Sequence, residues 1–178
     1  MSSILAFVLA LSTPQDFKPS PNPVTDAARL RVSRDAKNLI AAAELMPPDK
    51  YGYKPTPEQM TFGRLIVHIV QTNVALCSAV SGAPAPMAPE DLKKMSDTDS
   101  KDALVAAIKK SFDYCAEGLA KITDANLAEQ ATMFGKPMPQ PRGFALVTIL
   151  IDWADHYSTA ASYLRLNGIL PPSASPQK

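Results

Sequence analysis

Apolar residues recur along this chain in steps of three and four, in four separate stretches. The first, about residues 25–46, places Val32, Ala36, Leu39, Ala43 and Met46 on one stripe. That spacing is the signature of a helix with one buried face. Thr25 or Asp26 offers a side-chain cap at its start, and Pro47-Pro48 ends it. The second stretch begins at Thr61, an N-cap residue type, and runs through Phe62, Leu65, Ile69, Thr72, Leu76 and Ala79 to a stop at Gly82 and Pro84. The third, about 99–122, aligns Leu104, Ile108, Ser111, Cys115, Leu119 and Ile122. The fourth, about 144–167, aligns Leu146, Ile149, Trp153, Tyr157, Ala160 and Leu164, with Gly168 placed just past its end and Pro171-Pro172 beyond.

Proline punctuates the same pattern. The 17 prolines crowd into 14–23, 47–57, 84–89, 137–141 and 171–176, which leaves four proline-poor blocks. The long loop after the second block has room for one short helical turn at 90–95. No segment alternates with period two, so no sheet is predicted. Four long amphipathic helices bury their stripes most simply against one another, which makes the expected fold all-α, a four-helix bundle. The expected division is an N-terminal apolar segment and Pro-rich linker at 1–23, the bundle at 24–172, and a disordered tail at 173–178.

Composition narrows the function classes. With 18 basic and 17 acidic residues interspersed, the net charge is +1. That excludes nucleic-acid binding through a basic patch, so no nucleic-acid partner is expected. No apolar run reaches the roughly 18 residues that span a bilayer, so no stable membrane anchor is expected. Residues 4–11 (ILAFVLAL) have the length of a signal-peptide core but follow Met-Ser-Ser, with no Lys or Arg. The sequence therefore leaves both the cytoplasm and export to the periplasm open. Cys77 and Cys115 fall on different helices and form no C-x-x-C motif. The favoured reading is two buried thiols acting as small apolar groups, with a disulfide as the alternative in an exported protein.

The candidate chemistry is compact. The chain has two histidines, and both fall inside helices. His68 borders the apolar stripe of the second. His156 is on the fourth, with Asp152 one turn before it, and residues at i and i+4 share a helix face. Two imidazoles and a carboxylate suit a divalent transition metal such as zinc, nickel or iron, and three protein ligands leave a position for water or substrate. Asp155 is rotated away from both and is expected to act from behind or to face solvent. Histidines beside a core stripe are also common as hydrogen-bonded structural residues, and D-x-x-x-H also occurs as an ion pair. No phosphate-binding loop, dinucleotide fingerprint or G-x-S-x-G is present. Ser158 and Thr159 beside His156 do not make a catalytic triad, because sequence adjacency does not supply its geometry. Phe62, Phe112, Phe144, Trp153 and Tyr157 sit at core spacing and are read as packing.

Three segments carry a family resemblance: 53–58 (YKPTPE), 61–68 (TFGRLIVH), and 155–157 (DHY) continuing through 163–172 (YLRLNGILPP). On these the chain, over about 26–172, resembles the DinB-like (DinB/YfiT-type) superfamily. The resemblance implies a four-helix bundle with one long crossover and a metal held by three inward ligands. Typical members place a histidine at the position of His68 and an H-x-x-x-H pair on the last helix. His156 matches the second histidine of that pair, and Asp152 stands where the first would be. The superfamily includes metal-dependent thiol transferases and isomerases. The expected function is therefore a metal-binding protein, a metal-dependent hydrolase or thiol transferase acting on a small molecule. The alternative is a non-catalytic binding or structural bundle with a degenerate metal site, and a homodimer through a bundle face is compatible with either.

Overall fold

The structure is a computed structural model that describes residues 18–174. The apolar segment at 4–11 and residues 175–178 lie outside the described residues. Five helices account for most of the chain: α1 Pro23–Leu45, α2 Phe62–Ser81, α3 Pro89–Lys94, α4 Lys101–Ala120 and α5 Arg142–Leu166. The four long ones cover the four predicted stripes, and α3 is the expected short turn in the long loop. Buried positions include Val32, Leu39, Phe62, Leu65, Ile69, Leu104, Ile108, Leu119, Leu146, Ile149, Trp153 and Leu164. α2 is long and apolar enough to cross a bilayer, but 67% of that stretch is buried inside the bundle.

Side-chain pairings fix the helix directions. Asn73 bonds Ser111, Cys77 bonds Cys115, and Ser81 lies against Gly118, so α2 and α4 run parallel. Thr72 meets Asp152 and Met60 meets Tyr163, so α2 and α5 run antiparallel. Lys101, at the start of α4, donates to the Glu44 and Met46 carbonyls at the end of α1, so those two are antiparallel. The order is up-down-down-up. Parallel α2 and α4 force the connection between them to travel back along the length of α2. It does so through α3, and the Thr61 hydroxyl donates to the Asp97 carboxylate at 2.7 Å near its far end. Gly63 makes this approach feasible, because a Cβ there would lie 2.8 Å from the Asp97 carbonyl oxygen.

The helix ends follow local chemistry. Thr61 accepts from the Arg64 N–H as predicted. Gly82 and Gly168 take φ of +69° and +72°, and the Ile169 N–H returns to the Leu164 carbonyl at 2.9 Å in a Schellman closure of α5. The start of α1 differs from expectation. Neither Thr25 nor Asp26 caps it; the helix begins at Pro23, and its free Val24 and Thr25 N–H groups donate to Asp124, about 100 residues away. Burial works to raise the Asp124 carboxyl, but these two N–H donors, the Thr25 hydroxyl and Arg29 outweigh it and hold it below its usual range. No local pattern in a sequence announces a cap supplied from the other end of the domain.

Four further expectations are corrected. A two-stranded antiparallel hairpin, β1 Gln130–Met133 and β2 Lys136–Pro141, precedes α5. Its second strand reads KPMPQP, and three prolines remove the N–H groups on which strand propensity rests. The prolines face out while Met138 and Gln140 are half-buried, so the strand serves as an edge against the bundle. Cys77 and Cys115 are not free thiols but a disulfide, with Cα atoms 5.2 Å apart. Phe144 is 54% exposed, on the outer face of α5 with Val147 and Ile151, rather than in the core. Order extends past residue 172, because Pro172–Ala174 form a 3-10 turn and the Ser173 N–H donates to the Tyr157 hydroxyl at 2.8 Å. On α1 the stripe also includes buried Asp35, whose carboxyl is pushed up by burial against the pull of Arg31 and Arg34.

Candidate metal centre

The antiparallel register of α2 and α5 builds the site. Setting Thr72 against Asp152 places His68, one turn earlier on α2, against His156, one turn later on α5. The two imidazole rings meet at a centroid distance of 4.8 Å and an angle of 62°. Ligand atoms of His68, Asp152 and His156 all lie within 4.8 Å of one another. The structure thus brings together all three residues that the sequence singled out. Asp155 is 74% exposed, its carboxylate 3.6 Å from His156 Nδ1 and too distant for a hydrogen bond.

The neighbouring residues on each helix point into the core and lock this register. Trp153 Nε1–H donates to Asn73 Oδ1 at 2.6 Å, and Asn73 Nδ2–H donates to Ser111 Oγ at 3.0 Å. Trp153 and Asn73 are fully buried, so α2, α4 and α5 are tied at one level by a satisfied polar chain. The site therefore rests on rigid helices rather than on loops.

Thr72, which the sequence pattern assigned to an apolar stripe, proves to be part of the site. Its hydroxyl has one proton, and the Asp152 Oδ2 at 2.9 Å is both nearer and more negative than the Ile69 carbonyl at 3.1 Å. Thr72 thereby fixes the carboxylate and leaves Oδ1 turned toward His156, at 3.3 Å from Nε2. That approach has the distance of an ion pair but not the angle of a hydrogen bond, and His156 Nε2 is buried without a hydrogen-bond partner. The available signal in the sequence was a Thr in a stripe otherwise filled by apolar residues.

Burial lowers the His68 pKa, and nearby His156 and Arg64 add to the effect against the pull of Asp152. His68 is thus held neutral near pH 7, the form in which an imidazole ligates. The unfolded chain protonates His68 near its ordinary value of 6.5, above the folded value. Stability is full above that pH and is lost as pH falls through the folded pKa. In metal-free protein, His68→Gln should flatten part of the loss of melting temperature between about pH 7 and pH 5. An unchanged slope in that variant would contradict the assignment.

An orphaned buried nitrogen, a second imidazole and an oriented carboxylate form a donor set that fits a divalent transition metal. Comparison with known proteins places this geometry in context. Among curated proteins nothing matches. A DinB-like protein from Bacillus cereus ATCC 10987 is similar in structure, with a TM-score of 0.66 at 18% identity, covering 83% of this chain and 95% of that one. A DinB-like protein from Bacillus subtilis gives 0.64 at 17% identity, covering 84% and 99%. A mycothiol-dependent maleylpyruvate isomerase gives 0.58 at 17% identity, and the match spans 75% of this chain but 59% of the isomerase. At such identities these likenesses speak for the fold. The sequence profile of the DinB superfamily matches residues 31–160, and the chain belongs to that superfamily.

Proposed function

We propose that His68, Asp152 and His156 hold a divalent transition metal and that the protein is a metal-dependent enzyme acting on a small molecule. The observation that carries this reading is His156 Nε2, buried without a hydrogen bond and turned toward two further donors. A buried polar atom left unpaired costs about 1–3 kcal/mol, and a metal ligand needs such a free lone pair. Mutual ion pairing without a metal is the bland alternative. It is disfavoured because the His156–Asp152 approach makes no hydrogen bond.

A bound divalent ion would lower the pKa of a water or thiol, giving a nucleophile at neutral pH. The chain's own residues do the rest. His68 stays neutral, Thr72 holds Asp152 in place, and the Asn73–Trp153 bond keeps the two helices in register. The mycothiol dependence of the similar isomerase supports a thiol as the activated group, and thus thiol transfer ahead of hydrolysis.

Thermal unfolding in a series of divalent ions tests the reading. A ligand at 100 times its Kd stabilises by about 2.7 kcal/mol, or roughly 5–11 °C for a domain of this size. Zinc or nickel should give such a shift in the wild type and little in Asp152→Ala. Equal melting temperatures with every ion would overturn it.

A further inference from the structure

α2 presents the centre on one side and a cleft on the adjoining side. Arg64, Gln71 and Ala75 follow one another along a single line of the helix, and His68 is offset from Arg64 by about 40°. The cleft has a volume of about 410 Å³ and is closed by Pro89, Leu92 and Lys93 of α3 and by Phe134. A second hollow of about 470 Å³ continues it past Pro89 and Phe134 toward Gly82. Two features of this groove point to a ligand.

The first is charge. Arg64 and Lys93 face the same cleft, and neither is in an ion pair among the described residues. Arg64 is close enough to His68 for its charge to be felt there. The second is Phe134. It occupies the first central position of a two-residue hairpin turn, at φ +50°, followed by Gly135 at +75°. Turns of this kind favour Asn, Asp or Gly at that position, and a bulky residue is strained there. Strain of this sort persists where the surroundings impose it, and such sites cluster at ligand contacts. Part of the ring packs on the core, and the rest is the wall shared by both hollows.

We propose that this groove is the substrate-recognition cleft of the centre, taking a small organic anion whose charged group meets Arg64 and Lys93 and whose apolar or aromatic body lies against Leu92, Pro89 and Phe134. The proposal rests on the metal reading only for what happens at the reacting end; recognition of the anion depends on the cleft. Arg64 offers a planar fork suited to a carboxylate, and Lys93 adds a second charge.

The test is a fluorescence titration of the full chain with 1-anilinonaphthalene-8-sulfonate and with the uncharged N-phenyl-1-naphthylamine. It is run on chelator-treated and on zinc-treated protein, with metal content measured in the same samples. The exposed apolar face of Phe144, Val147 and Ile151 is the same in wild type and variants, so the comparison between variants isolates the cleft. Arg64→Gln with Lys93→Gln should weaken the anionic probe at least about tenfold, and leave the neutral probe within about twofold. The carboxylate 4-phenylbutyrate should displace the anionic probe from wild type, and 4-phenylbutanol should not. Phe134→Asn, which suits the turn better, should weaken the anionic probe about fivefold while the melting temperature stays within roughly 4 °C of wild type. Unchanged anionic affinity in the charge variant, or equal displacement by the acid and the alcohol, would overturn the cleft. Charge-dependent binding in samples that take up no zinc leaves the cleft standing and removes the metal reading; zinc uptake with charge-independent binding does the reverse.

Discussion

Replacing Cys77 and Cys115 together by alanine is expected to lower the stability of the fold by about 4 kcal/mol. The two residues are 38 apart in sequence and join α2 to α4. Opening a closed loop of that length restores chain entropy to the unfolded state, and the loop-entropy relation gives this magnitude. Both positions are buried, so each alanine also leaves space where a sulfur packed. Against a typical total of about 5–15 kcal/mol, such a loss is large. It corresponds to a fall in melting temperature of roughly 8–16 °C for a domain of this length. Thermal melts of oxidised wild type, of wild type with reductant and of the double variant provide the check. A fall of less than about 3 °C in both of the latter would mean that the bond contributes little.

The same bond explains one limit of the sequence. Helical spacing placed Cys77 near one stripe and Cys115 on another, and both side chains are buried. Whether two buried cysteines bond depends on which residues of two distant helices face one another. That follows from the parallel pairing of α2 with α4, which needs the long crossover along α2 to exist first.

The four long helices were legible because each repeats its apolar face over five or more turns, and proline marks their ends. The hairpin was not. Its strands are short, β2 alternates Pro with other residues, and Phe134-Gly135 is an unusual turn pair. Phe144 was misplaced although the period itself speaks against a core role: on a 3.6-residue helix it lies about 140–180° from Leu146, Ile149 and Trp153, opposite the stripe, and it is exposed. In the site, His68, Asp152 and His156 could be read from i,i+4 spacing and from the scarcity of histidine. Thr72 could not, since its role depends on the register of α2 against α5. Arg64 and Lys93 were equally hidden, because the cleft exists only once α3 has folded back beside α2.

The second large effect concerns the centre. His156→Ala removes the orphaned nitrogen and one of three donors, and the remaining His68 and Asp152 come from different helices. Loss of one ligand from a three-ligand set should abolish stoichiometric metal binding, because two protein donors compete poorly with water and buffer for the ion. The fold should survive: His156 belongs to no hydrogen bond of the core, and the Asn73–Trp153–Ser111 chain that locks the register is untouched. His156→Ala should therefore retain a cooperative thermal transition and the wild-type helical circular dichroism. That separates loss of metal from loss of structure.

The most direct measurement is the metal content of protein exchanged into zinc or nickel and freed of excess ion, wild type beside His156→Ala, by elemental analysis. A metal centre at His68, Asp152 and His156 predicts close to one ion per chain in the wild type and close to none in the folded variant. Equal content in the two, whether a full equivalent or a trace, would contradict it and leave a helical bundle whose clustered histidines and aspartate serve only the packing of α2 against α5.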